Sequence, residues 1–159
     1  MIKVEFWIEH EGCLVNELSR AFPEVKLLCP GGFVVSPSLV EEVIVADGAS
    51  EDAVERVVEH LRGVDGIRSA EVVERNNGRS FIHITVTKVP EDFCSAVVRR
   101  NRCFPIGVEK QEAGQEKWVV GCLHREQADR MLEELGKLGN ITHQKITEES
   151  WNAILSEVV

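Results

Sequence analysis

Two passes through the order strand, helix, strand, strand, helix, strand predict an α+β fold of two tandem ferredoxin-like βαββαβ repeats with antiparallel sheets, followed by a C-terminal helical tail. Three observations predict it. Each half opens on a strand with apolar residues at alternate positions, each holds helices with apolar residues at helical spacing, and an Asn76-Asn77-Gly78 turn joins the halves. The repeats are residues 1–78 and 79–147, and residues 148–159 form the tail. At about 75 to 80 residues, each half of the chain is marginal for an independent core, so the halves are expected to pack on each other.

In Lys3 to Glu9, Val4, Phe6 and Ile8 alternate with charged side chains apart from Trp7, which predicts a strand with one buried face. Leu14, Leu18 and Phe22 recur at four-residue spacing, and Pro23 stops the helix they define. Strands follow at Val25 to Cys29 and Leu39 to Ala46, with Pro30-Gly31-Gly32 read as a turn. Ser50 is a suitable N-cap for the helix Glu51 to Leu61, whose stripe is Val54, Val57, Val58 and Leu61. After the strand Ile67 to Glu74, Asn76-Asn77-Gly78 predicts a tight hairpin into the strand Ser80 to Thr87, so the halves are rigidly coupled. The second half continues with a helix Asp92 to Asn101, strands Ile106 to Lys110 and Trp118 to Cys122, a helix Arg125 to Leu138 ended by Gly139, and a strand Ile141 to Ile146. In the tail, Trp151, Ile154, Leu155 and Val158 form a stripe that reads as a helix docked on the core or as a linker into a further domain.

With 43% hydrophobic and 28% charged residues, and no apolar run near the roughly 20 residues that cross a bilayer, the chain reads as soluble and without a membrane partner. Its start lacks the features of a signal peptide, which places it in the cytoplasm. The net charge of −9 is concentrated in the first half, with 15 acidic and 7 basic residues against 12 and 11 in the second. A field of that sign repels phosphate backbones, so no DNA-binding residues are assigned; the one basic cluster, Arg99, Arg100 and Arg102, reads as a complement to a helix dipole. Phosphate-binding, nucleophile-elbow, zincin and dinucleotide motifs are absent, so no catalytic residue is assigned, and any cofactor is unknown from the sequence.

The five cysteines, Cys13, Cys29, Cys94, Cys103 and Cys122, form an odd set without a C-x-x-C pair and read as reduced thiols. In a ferredoxin-like unit the first two strands run the same way, which is expected to gather His10, Gly12, Cys13 and Cys29 at one edge as an effector-binding site. A cysteine at a helix N-terminus has its thiolate favoured, so Cys13, and Cys94 by analogy, are candidates for redox sensing or metal binding. His10, Cys13 and Cys29 are also candidate metal ligands, the alternative being packing residues and a solvated histidine. The Glu11-Gly12-Cys13 loop and the Pro90-Glu91-Asp92 turn lead into helix N-termini that could hold a small anion, as ACT-like sensing modules do. Cys103 with Cys122-Leu123-His124 is a further, less regular metal constellation.

The opening strand followed by Cys13-Leu14-Val15-Asn16-Glu17-Leu18-Ser19-Arg20-Ala21-Phe22-Pro23-Glu24-Val25 resembles the N-terminal half of archaeal transcriptional regulators of the bacterio-opsin activator type. So do Glu55-Arg56-Val57-Val58-Glu59-His60-Leu61-Arg62 with the strand after it, and the second-half strand, Cys94 helix and Phe104-Pro105 turn. The resemblance implies a sensory region that precedes a helix-turn-helix, with DNA reached only through that domain, which these residues do not contain. The expected function is therefore a regulatory, ligand-sensing module, with a small-molecule effector and a homo-oligomer as partners; the alternative is a cysteine-based redox or metal-binding protein or enzyme.

Overall fold

A computed structural model describes residues 1–87 and 93–158 of the chain. The elements are β1 (Ile2–His10), α1 (Leu14–Ala21), β2 (Lys26–Ser36), β3 (Leu39–Asp47), α2 (Glu51–Arg62), β4 (Ile67–Asn76), β5 (Arg79–Val86), α3 (Cys94–Arg100), β6 (Phe104–Pro105), β7 (Glu109–Glu112), β8 (Gln115–Cys122), α4 (Arg125–Leu138), β9 (Gly139–Glu148) and α5 (Trp151–Val158). The Pro90-Glu91-Asp92 turn, and with it the expected start of the third helix, lies outside the described residues.

The local signals explain most of these elements. Ser50 Oγ accepts a hydrogen bond from the Ala53 amide at 3.2 Å and caps α2. Asn77 and Gly78, at φ 49° and 74°, make the left-handed turn of the β4–β5 hairpin. Pro30-Gly31-Gly32 is a correction: β2 runs through it, with an irregularity in its register against β3 between Leu28 and Gly31. Gly32 is needed there because a Cβ would stand 2.7 Å from the Glu41 carbonyl oxygen. The expected strand from Ile106 to Lys110 also moves, since β6 and β7 flank that segment.

The strands form one antiparallel sheet in the order β4-β5-β3-β2-β7-β8-β1-β9, with β6 against β8. The two sheets expected from the sequence halves are thus joined edge to edge through β2 and β7. The first strand of each half has also crossed over: β1 lies between β8 and β9, and β5 between β3 and β4. As a result β1 and β2, separated by two intervening strands that each reverse direction, run opposite ways.

Two hydrophobic cores follow this exchange. One joins α1 and α2 to β2, β3, β4 and β5 through residues such as Leu18, Leu27, Ile44, Val57, Leu61 and Ile84. The other joins α3 and α4 to β1 and β8 through Val4, Phe6, Ile8, Val97, Trp118, Met131 and Leu135. Facing residues across paired strands point to the same side, so Ile8, Glu116, Gln111, Leu27 and Ala46 form one row beneath the helices. Its second and third members, Glu116 and Gln111, are polar and buried. The tail helix rests on the body through buried Ile154 and a stack of Trp151 on Phe104 at 5.7 Å, while Leu155 and Val158 are exposed.

Candidate functional site

The polar middle of that row is the floor of a buried cluster between the cores. Alternation along β8 puts Glu116 on the same face as Trp118, Val120 and Cys122, so a carboxylate occupies a core-facing position and is only 3% exposed. Its Oε1 accepts a hydrogen bond from Trp118 Nε1 at 2.7 Å. Its Oε2 has no hydrogen-bond partner among the described residues and points at His10, whose Nδ1 is 3.5 Å away. Alternation along β1 likewise continues Val4, Phe6 and Ile8 to buried His10 at the strand's end. Cys94, the first residue of α3, closes the group with Sγ 3.6 Å from His10 Nδ1. These three ligand-type atoms all lie within 4.8 Å of one another.

Around this triad the backbone is held by amides. The His10 N–H donates to Asn16 Oδ1, Asn16 Nδ2 donates to Gln111 Oε1 at 3.0 Å, and Gln111 Nε2 donates to Glu109 Oε1 at 2.6 Å. Glu109 faces Cys29 across the β2–β7 ladder, so both stand on the helix-covered side. Burial, reinforced by the Glu116 charge, pushes the Glu109 carboxyl well above the usual carboxylate range and raises Glu42 to about 7. None of these three glutamates forms an ion pair with a lysine or arginine among the described residues.

His10, Cys13 and Cys29, named from the sequence, do fall in this neighbourhood, but for another reason than the one expected. The two strands run oppositely, and Cys29 is brought in because β2 passes the β7 edge near its own start. Cys13 is the N-cap residue of α1, partly exposed, and its thiol is raised rather than lowered, by burial and by the Glu116 charge. Burial also raises Cys29, with the charges of Glu109 and Glu42, and Cys94, with that of Glu116. The helix N-terminus therefore does not produce a resting thiolate here. Gly12, at φ 79°, spends its amide on Glu17 Oε1 at 3.1 Å, and an acidic surrounding is unfavourable to an anion. The sequence points to Cys94 only by analogy with Cys13, and its motifs do not point to Glu116. The signal for Glu116 was present: an acid stands two residues before Trp118, in phase with the apolar side of its strand.

The second constellation comes apart. The β6–β8 register sets Cys103 opposite Cys122, and their thiols interact, lowering Cys103 and raising Cys122. His124 instead begins α4, its amide donating to Gln127 Oε1 at 3.0 Å. The Arg99 to Arg102 cluster is partly spent as well, with Arg100 paired to Glu134.

The fold and the site together define a mixed α/β protein with one antiparallel sheet and a buried polar cluster at its centre; among the described residues no helix is long and apolar enough to cross a membrane. The chain belongs to the family described as HVO_2525_N, N-terminal, whose model matches residues 3–141. No curated protein matches it.

Proposed function

We propose that this chain is the regulatory, ligand-sensing module of a transcriptional regulator of the archaeal bacterio-opsin activator type, with DNA contacted by a helix-turn-helix outside these residues. The observation that carries the reading is the buried cluster of His10, Cys94 and Glu116 at the joint of the two half-sheets. Uncompensated buried charge is costly, and a ligand that relieves it is bound at the expense of that cost. A ligand there also touches residues from β1, α3 and β8, and through Gln111 and Asn16 the elements of the first core, so occupancy biases how the halves sit together. The strand orders β4-β5-β3-β2 and β9-β1-β8-β7 support reading the halves as two ferredoxin-like, ACT-like units that have exchanged first strands. The family's description as N-terminal accords with a module that precedes another part.

The test is hydrogen exchange on the purified chain with ligands drawn from a panel of divalent cations, amino acids and small carboxylic acids, chosen by thermal shift. A sensor should respond beyond the pocket, with altered protection in the β2–β7 joint and in α5. A ligand that stabilises the chain yet changes protection only at the residues it touches would refute the reading. The alternative of a cysteine-based redox protein or enzyme draws its support from the facing Cys103 and Cys122; the raised thiols of Cys13, Cys29 and Cys94 weigh against a nucleophile at the central cluster.

A further inference from the structure

We propose that His10 Nδ1, Cys94 Sγ and Glu116 Oε2 are three ligands of a site for a divalent first-row transition cation of the zinc class, with a fourth position left to water or a second ligand. The inference rests on the sensory reading only in naming what that pocket takes. Its first support is geometric. Zinc bonds of about 2.0 Å to nitrogen and oxygen and about 2.3 Å to sulfur, at tetrahedral angles, separate N from S by about 3.6 Å and N from O by about 3.3 Å. The observed separations from His10 Nδ1 are 3.6 Å to sulfur and 3.5 Å to oxygen, close to two edges of such a tetrahedron, and all three atoms lie within 4.8 Å of one another. Its second support is the unpartnered Glu116 Oε2, almost fully buried and aimed into the group, while Trp118 holds the other oxygen and so sets the carboxylate's orientation.

Charge and softness select the cation. Binding removes the Cys94 thiol proton to solvent and forms a bond from thiolate sulfur to the metal; with the Glu116 carboxylate and a neutral imidazole, a dipositive ion leaves the buried site neutral. Magnesium and calcium want oxygen ligands throughout, whereas a nitrogen, sulfur and oxygen set suits zinc, cobalt or iron. Three protein ligands with a fourth position open is an arrangement that admits water or a second ligand. Cys13, partly exposed at the start of α1, does not belong to the triad.

The test uses the purified full chain, stripped of metal by chelator and kept reduced, titrated with Co2+ as a spectroscopic probe and then with Zn2+ as competitor. The expected result is saturation at a single equivalent, with tetrahedral ligand-field bands, a sulfur-to-cobalt charge-transfer band and displacement by Zn2+. Cys94→Ser should abolish the charge-transfer band. Glu116→Gln should weaken binding at least about 100-fold, the upper end of what outer-shell losses cost, and as an isostere that still accepts from Trp118 it carries the test if Cys94→Ser does not fold. Cys13→Ser should leave stoichiometry and band in place. Absence of saturation below ~1 mM Co2+, or a charge-transfer band that survives Cys94→Ser and vanishes in Cys13→Ser, would overturn the site. Cobalt bound at these residues without a change of protection at the β2–β7 joint upholds the site and refutes the sensory reading. Failure of every cation, with an organic ligand still altering that joint, refutes the site and leaves the sensory reading standing.

Discussion

Replacing Phe6 with alanine distinguishes the exchanged arrangement from a contiguous one. Phe6 lies in the first strand of the sequence, yet it is fully buried in the core of α3, α4 and β8, with its ring 6.2 Å from Trp118 and nearly parallel to it. Removing a buried phenylalanine side chain costs about 3–5 kcal/mol. At about 1.4 kcal/mol per tenfold change, that raises the opening equilibrium of the structure it supports by roughly 10² to 10⁴. The whole domain is worth only about 5–15 kcal/mol, so the variant should fold but with a much lower urea midpoint. Native-state hydrogen exchange locates the damage. Phe6→Ala should lose most protection in β8, α3 and α4, whereas Ile44→Ala, in the other core, should lose most in β3, β5 and α2. A Phe6→Ala variant whose loss is concentrated in β2, β3 and α2 would refute the exchange, because it would put the first strand with its sequence neighbours.

Other outcomes follow from single contacts. Gly139→Ala would press a Cβ into the Glu9 carbonyl beside the His10–Gly139 pair, so it should cost about 1–3 kcal/mol and weaken cation binding; thermal melts and cobalt titration check both. Glu42 has its folded-state pKa raised from the ordinary 4.5 to about 7, so the folded state holds the extra proton. Stability from this group therefore falls as pH rises from 4.5 towards 7, and Glu42→Gln should flatten the dependence of the urea midpoint over that window. Ser50→Ala removes the α2 cap and should cost about 0.5–2 kcal/mol in denaturant titrations. The sheet ends on β4 and β9, and exposed Leu155 and Val158 border the body, so a homodimer is expected; sedimentation showing only monomer at tens of micromolar would remove that expectation.

Much of the secondary structure was legible because its causes are local. The alternation of Val4, Phe6 and Ile8, the stripe of α2 with its Ser50 cap, and the Asn77-Gly78 turn each act over a few residues. Strand exchange was not legible, since β1 and β5 carry the same kind of pattern. Either alternating strand fits beside β3 or β8 by its own residues, and only long-range packing decides. The site was half legible for the same reason. His10, Cys13 and Cys29 stood out as residue types, but the partners that complete the triad, Cys94 and Glu116, come from the other half of the sequence and meet His10 only because β1 has crossed over.

The placement of that triad bears on how binding would be felt. β7 is four residues long and pairs with β2 through only Leu27–Gln111, Leu28–Lys110 and Cys29–Glu109, while the β1–β8 ladder holds seven pairs. The joint between the half-sheets is therefore a short ladder, matched by the three pairs of β7 with β8, and it is also where the buried row turns from apolar to Glu116 and Gln111. The halves cannot simply separate there, because each core contains the other half's first strand. What remains available is a small adjustment of β7 against β2, opposed by few hydrogen bonds and driven by whatever the charged cluster binds. Compensating the buried Glu116 carboxylate removes the charge that helps to raise Glu42 and Glu109, beside a joint held by only three residue pairs.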